Sequence, residues 1–330
     1  MRKRVYRAPI RPVHARVTIR DMSRLALATA LLVLGAEGRA SAQALRPDFV
    51  YGRDYTFERM EATRTVDDAQ DKGAIRLVTY VYAPVKNDRH EVVLFSHGST
   101  GGLMTPPKEQ PRDFPPRSVI QFFISRGYTL VVPFRRGRGD STGTYVEECS
   151  AYTGQCTTAD QFALTERGLR EALLDTSAVI DQLILGRLVP RESKLILGGH
   201  SRGGFLSLML AAERPSLAKG VLSFAGGWLG VNDNFSPREI QQRMEEQSAR
   251  LSRAAKQARM PTIWIYAVRD PLYKDGLPAE LVRVWREAGG QAEFVNVTEH
   301  ALPNAHLVPS DATLWERPMD AFLKQLDPRK

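Results

Sequence analysis

Cysteine is scarce in this chain, which has two cysteines among 330 residues. Cys149 and Cys156 lie in the segment CSAYTGQC, whose spacing is not that of a CxxC metal or redox motif, and no other cysteine is present to complete one. Because oxidising compartments permit a disulfide across such a short loop, we expect these two residues to form one. The alternative interpretation is a pair of unrelated thiols.

The leader contains no apolar run long enough to span a bilayer, which needs about 20 residues. Its apolar run is Leu25–Leu34, preceded by basic residues and followed by the small residues Ala40-Ser41-Ala42. This is the order of elements in a secretory signal peptide, so we expect residues 1–42 to direct export, giving a secreted or periplasmic protein without stable membrane insertion. Met22 would begin a signal of ordinary length, and residues 1–21 are then a misassigned start. The other interpretation is a disordered basic tail with a chance apolar patch.

Net positive charge is nearly absent from the rest of the chain. The formal net charge is +9, but residues 1–42 hold nine basic residues against two acidic ones, a net +7, which leaves +2 for residues 43–330. One basic cluster, FRRGRGDSTG at 134–143, is weak evidence on a near-neutral body. We therefore expect no nucleic-acid partner.

Short β-branched runs alternate with amphipathic stretches along residues 43–330. Alternation of this kind requires crossover connections, so it predicts the α/β fold class with a mostly parallel central sheet flanked by helices, in one domain without an internal boundary. The predicted strands are Ala74–Tyr82, Glu91–Phe95, Tyr128–Phe134, Lys194–Leu197, Val221–Phe224, Thr262–Ala267 and Glu293–Val297. The predicted helices lie at Arg117–Arg126, within Ala159–Leu185, at Gly203–Arg214, after Ser236, from Pro278 to Gly289 and near Ala312–Leu326.

The segment 228–259 has two interpretations. Ser236-Pro237-Arg238-Glu239 has the residues of a capping box with proline at the first helical position, so a helix should follow. That helix either belongs to a small helical cap over the site or is the ordinary connecting helix, lengthened.

A sharp local motif occurs in KLILGGHSRGGF, at 194–205. The pattern G-x-S-x-G stands between an apolar strand and an apolar helix, the context in which a tight turn holds a serine in strained backbone geometry and exposes its hydroxyl. Glycines must flank the serine because larger side chains would collide with the neighbouring strand and helix. Ser201 is thus the candidate nucleophile.

From about Asp71 onward, the chain resembles the α/β-hydrolase superfamily, and within it the dienelactone-hydrolase and prolyl-oligopeptidase-like branch. The resemblance depends on the strand-to-helix turn around Ser201, which we call the elbow, on FSHGS at 95–99 and on RGRGDS at 136–141. It implies the α/β-hydrolase fold, and it places 134–143 after a core strand, where this segment shapes a pocket wall.

The resemblance also implies an oxyanion hole made of two backbone N–H groups. One donor should be Arg202, the residue after the nucleophile. The other should come from the loop that contains His97-Gly98, with Ser99 as the choice and Gly98 in reserve. The alternative is that His97-Gly98 is only a tight turn.

The general base should be a histidine, and in this fold the order along the chain is Ser, then Asp or Glu, then His. His300 and His306 both follow the last strand; His306 is preferred because its surroundings are similar to the family's usual ending, and His300 is the alternative base. Asp270, which ends the preceding strand, is the expected acid, with Asp275 in reserve. An Asp-Pro turn is the other explanation of Asp270.

These residues predict a serine hydrolase that cleaves carboxylic esters through an acyl-enzyme on Ser201, with a small-molecule ester as partner and no metal or organic cofactor. Two alternatives stay open: an exported serine peptidase of the prolyl-oligopeptidase-like branch, and a catalytically inactive hydrolase-fold binding protein. Peptide-cleaving members of the branch usually carry a large N-terminal domain, for which the stretch from Gln43 to Gly73 leaves no room. The sequence leaves the substrate and the oligomeric state open.

Overall fold

The computed structural model describes residues 49–68, 70–99, 115–147, 158–190 and 193–327, with the side chains of the helix that begins at Thr158 described from Thr165 onward. The predicted signal peptide and the predicted disulfide between Cys149 and Cys156 lie outside these residues. Both therefore stay predictions.

A single eight-stranded sheet forms the centre of the described chain. In chain order its strands are β1 (Tyr55–Asp67), β2 (Lys72–Pro84), β3 (Glu91–Ser96), β4 (Tyr128–Pro133), β5 (Leu195–His200), β6 (Ala218–Phe224), β7 (Thr262–Ala267) and β8 (Ala292–Val297). Their spatial order is β1-β2-β4-β3-β5-β6-β7-β8. Strands β1, β2 and β4 pair in antiparallel fashion, and every pairing from β4 through β8 is parallel.

Helices cover the sheet and account for the burial of its central strands. They are α1 (Arg117–Ser125), α2 (Thr158–Leu185), α3 (Arg202–Glu213), α4 (Pro237–Ala255), α5 (Leu277–Glu287) and α6 (Glu316–Leu326). Every residue of β4, β5 and β7 is buried. A parallel strand covered on both faces reads as a continuous apolar run, which is why these strands could be recognised in the sequence.

Two elements differ from the sequence predictions. The sequence predicts no strand between Gln43 and Gly73, but Tyr55–Asp67 forms β1 and pairs along its whole length with β2. Most of its side chains are exposed, so its sequence lacks a buried apolar run. The sequence predicts the last helix near Ala312–Leu326, but residues Ala312–Leu314 form a 3₁₀ turn, and the α-helix begins at Glu316.

Helix α4 begins with the predicted capping box. The Ser236 hydroxyl accepts the Glu239 N–H, and the Glu239 carboxylate accepts the Ser236 N–H. The helix connects β6 to β7 and packs against α3 and α5, as a connecting helix does. The side-chain oxygen of its buried Gln247 accepts the N–H groups of Trp228 and Leu229, which fixes the loop after β6.

Parallel strands bring their carboxyl ends to one edge of the sheet. The loops after β3, β4, β5 and β7 contain, in that order, His97-Gly98, Arg135-Arg136, Ser201 and Asp270. In open α/β sheets this edge is where ligands bind, so the topology gathers the motifs of the sequence at one place. No helix in the described part of the chain is long and apolar enough to cross a membrane.

Candidate active site

Ser201 stands in a strained turn between β5 and α3. Its backbone φ of 56° and ψ of −124° lie in a region that residues with a side chain rarely adopt. The surrounding structure enforces this geometry: the Ser201 N–H donates to the Phe224 carbonyl at 2.8 Å, and its carbonyl accepts the N–H groups of Gly204 and Gly227. The residue is 5 % exposed.

The two glycines of the motif are required by close backbone contacts. A Cβ added to Gly199 would lie 2.4 Å from the Gly203 carbonyl carbon, and one added to Gly203 would lie 2.0 Å from the Ser96 oxygen. Separations this short do not occur for real side chains, so the helix could not start so near the strands if either position carried one. The sequence argument for glycine is confirmed.

Asp270 and His306 meet across the carboxyl edge of the sheet. The His306 Nδ1–H donates to Asp270 Oδ2 at 2.9 Å, while the other oxygen, Oδ1, accepts the Leu272 N–H at 2.8 Å. Both residues are buried, at 5 % and 7 % exposure. Because Nδ1 carries the proton in this bond, Nε2 is left as the acceptor nitrogen of the imidazole.

His200 joins this pair to the elbow. Its Nε2–H donates to the His306 carbonyl at 2.7 Å, and the two imidazole rings lie 4.8 Å apart between centroids. The Asn304 side chain also accepts the His306 N–H at 3.0 Å. The residue just before Ser201 therefore holds the backbone of His306, which places the imidazole beside the turn.

The alternative base His300 and the reserve acid Asp275 have other hydrogen-bond partners. The His300 Nε2–H donates to the Val268 carbonyl at 2.9 Å, and no hydrogen bond links this ring to Asp270. Asp275 accepts the backbone N–H of Arg269 at 2.9 Å. The structure thus brings Asp270 together with His306.

The loop after β3 approaches the turn closely. A Cβ added to Gly98 would lie 3.0 Å from Ser201 Cβ, and Ser99, the next residue, is partly buried. Arg202 is the first residue of α3, in the turn whose N–H groups point out of the helix N-terminus. Both segments expected to supply oxyanion donors adjoin Ser201.

Sequence reasoning missed two buried residues beside the candidate site, Arg135 and Glu147. The Arg135 guanidinium, 2 % exposed, pairs with the Glu147 carboxylate and also donates to the His97 carbonyl at 2.8 Å and the Gly98 carbonyl at 3.3 Å. The sequence offered only the basic cluster 134–143 as a signal, and nothing in it distinguished Arg135 from its neighbours. Among the described residues, no group of three or more His, Cys, Asp or Glu side chains is arranged to hold a metal ion.

The eight-stranded, mostly parallel sheet and its flanking helices form the α/β-hydrolase fold. An esterase of Pyrococcus furiosus is 16 % identical with a TM-score of 0.55, and the match covers 82 % of this chain and 91 % of that one. An acylaminoacyl peptidase of Pyrococcus horikoshii is 15 % identical with a TM-score of 0.53, over 83 % of this chain and 41 % of that one. At these identities the likeness concerns the fold alone, and it confirms the α/β-hydrolase fold that the sequence predicted.

One family model matches part of the chain. The model described as "Putative esterase" matches residues 164–308, a segment that contains Ser201, Asp270 and His306. No curated protein matches the chain. The match thus spans the elbow and both partner residues, and it agrees in class with the esterase among the structural neighbours.

Two buried histidines should make the protein unstable in acid. Burial lowers the pKa of both His97 and His200 from 6.5 to about 3. Between these pKa values only the unfolded chain binds the two protons, so the free energy of unfolding should fall by about 1.4 kcal/mol per pH unit for each histidine as the pH drops below 6.5.

Urea denaturation at pH 7, 6, 5 and 4 measures this slope. The His200→Gln variant is the matched comparison, because it should remove one histidine's share of the slope while the share of His97 remains. A variant whose stability follows the wild-type pH dependence throughout would contradict the assignment.

Proposed function

We propose that the chain is a serine hydrolase that cleaves carboxylic esters of small molecules through an acyl-enzyme on Ser201. The observation that carries the proposal is the Asp270–His306 hydrogen bond, 2.9 Å long, which His200 links to the strained strand-to-helix turn that holds Ser201. The match to an esterase family model over 164–308 supports the choice of ester substrates.

In the proposed reaction His306 Nε2 takes the proton of the Ser201 hydroxyl as the serine oxygen attacks the ester carbonyl carbon. The negative oxygen of the tetrahedral intermediate accepts hydrogen bonds from the backbone N–H groups of Ser99 and Arg202. His306 then protonates the departing alcohol. Water, deprotonated by the same imidazole, attacks the acyl-enzyme and releases the acid and the free serine.

Asp270 has two roles in this scheme. Its hydrogen bond fixes His306 in the tautomer that leaves Nε2 unprotonated, and its charge stabilises the imidazolium formed during each half-reaction. The Leu272 N–H on the second carboxylate oxygen keeps the acid oriented. The pair is held as a unit before substrate arrives.

A panel of p-nitrophenyl esters of rising chain length, run beside p-nitroanilide amides, tests this proposal. We expect short esters to be cleaved and amides to resist, because an amine is a poorer leaving group than a phenol. Preferential cleavage of the amides would make the chain a peptidase instead. No turnover together with no labelling by a fluorophosphonate probe, under conditions in which a control esterase reacts, would favour a binding protein.

A further inference from the structure

Arg135 donates several hydrogen bonds to the loop that should supply one oxyanion donor. Its guanidinium donates to the carbonyls of His97 and Gly98, and its backbone N–H donates to His97 Nε2 at 3.2 Å. The His97 Nδ1–H in turn donates to the Gly98 carbonyl at 2.7 Å. The Gly98 carbonyl therefore accepts hydrogen bonds from two donors, the His97 ring and the Arg135 guanidinium.

Fixing these carbonyls also fixes the N–H groups of the loop. In a trans peptide the C=O and the following N–H lie in one plane and point in opposite directions. The Gly98 carbonyl shares its peptide with the Ser99 N–H, and the His97 carbonyl shares its peptide with the Gly98 N–H. With both carbonyls turned to Arg135, both candidate donors point away from it.

Glu147 keeps the buried guanidinium in place. A lone buried charge is costly, and this carboxylate, 4 % exposed, is paired with Arg135 through both of its oxygens. Burial alone would raise the pKa of Glu147, but the charge and hydrogen bonds of Arg135 outweigh it and lower the pKa to about 2. The carboxylate is thus ionised throughout the neutral range.

The Glu147 segment is also connected to Arg202, the residue expected to supply the other oxyanion donor. The Tyr145 hydroxyl donates to Glu147 Oε2 at 3.1 Å, and Arg202 Nη1 donates to that hydroxyl and to the Glu147 carbonyl, each at 3.2 Å. Arg202 Nε donates to the Trp228 carbonyl at 3.1 Å. The side chain of the residue that should supply the other N–H is therefore anchored on the Glu147 segment.

We propose that Arg135 and Glu147 are the positioning residues of the oxyanion hole, holding the Ser99 peptide and Arg202 in one buried network. The inference rests on the proposed function. Neither side chain is assigned a contact with substrate: they act by preventing the Gly98–Ser99 peptide from turning its carbonyl toward the developing oxyanion.

Arg135→Lys tests the proposal, because lysine keeps the charge but loses the planar fork that holds two carbonyls and a carboxylate together. Loss of one oxyanion donor lowers turnover by about 10²-fold or more, and we expect kcat to fall by that factor with KM nearly unchanged. Affinity for a trifluoromethyl ketone, which forms an oxyanion on the serine, should weaken in parallel. The shape of the pH–rate profile should stay the same because the base is untouched.

Arg136→Lys is the matched control. Arg136 is the next residue, is also 2 % exposed and also pairs with buried carboxylates, those of Glu171 and Asp175. No described hydrogen bond joins its guanidinium to His97 or Gly98. This variant should lose stability but keep the wild-type kcat. It therefore separates a general structural effect from disruption of the oxyanion hole.

The outcomes separate this inference from the function on which it rests. A wild-type protein without ester turnover or fluorophosphonate labelling removes the proposed function. An active wild type whose folded Arg135→Lys variant has the same kcat, or loses no more than Arg136→Lys does, overturns the inference alone. Should Arg135→Lys fail to fold by circular dichroism, Glu147→Gln and Tyr145→Phe replace it, and unchanged kcat and ketone affinity in the folded variants also overturn it.

Discussion

Replacing Ser201 by alanine should lower kcat for short p-nitrophenyl esters by roughly 10⁴- to 10⁶-fold, the range observed when a serine hydrolase loses its nucleophile. Without the hydroxyl no acyl-enzyme forms, and the remaining rate comes only from substrate positioning and the N–H donors. Steady-state turnover together with the mass shift from a fluorophosphonate measures both the reaction and the covalent adduct. The variant should show neither.

Ser207→Ala is the control for this substitution. Ser207 lies on α3, the helix that Ser201 precedes, and is also buried; its single hydroxyl proton is shared between the backbone carbonyls of Gly198 and Gly203, each 2.8 Å from the oxygen. It should label and turn over as the wild type does. Turnover that survives in Ser201→Ala would remove the proposed mechanism, whatever the control shows.

Replacing His306 by alanine should lower kcat by about 10⁴-fold or more, because the serine loses its proton acceptor. His300→Ala should change kcat by less than about tenfold, since the His300 ring bonds the Val268 carbonyl and has no hydrogen bond to Asp270. The two substitutions remove the same group from the same stretch of chain, so each controls for the other. Single-turnover acylation, followed by release of p-nitrophenol, isolates the step in which the base is needed.

The reverse result would change the assignment. If His300→Ala abolished acylation and His306→Ala did not, His300 would be the base, and the Asp270–His306 bond would be structural. Equal, small losses of the acylation rate in both variants would exclude His300 and His306 as the general base, and with them the proposed mechanism.

The elements that could be predicted are those whose signal is local. The buried strands β4, β5 and β7 are continuous apolar runs, and the capping box at Ser236 identifies the start of α4 within one short stretch. Strand β1 was missed because most of its side chains face solvent, and it is defined by its pairing with β2. Pairing between strands is a property of two segments, and neither segment shows it alone.

The candidate site divides in the same way. Ser201 could be identified from five residues because the strained turn imposes glycine on its own neighbours, and Asp270 from its place after an apolar strand. The choice between His300 and His306 depended on resemblance, since both follow β8 and chain order admits either. The contact with Asp270 bridges 36 positions and exists only in the folded chain.

The sequence by itself determined the α/β class, the elbow around Ser201 and the set of polar residues from which a site can be built, because each depends on periodicity or on steric demands within a few neighbouring residues. The tertiary structure alone decided which imidazole meets Asp270 and that Arg135, paired with Glu147, holds the carbonyls of His97 and Gly98. The physical reason is that a buried charge is tolerated only with its partners around it. Those partners come from separate strands and loops that the parallel sheet brings to one edge.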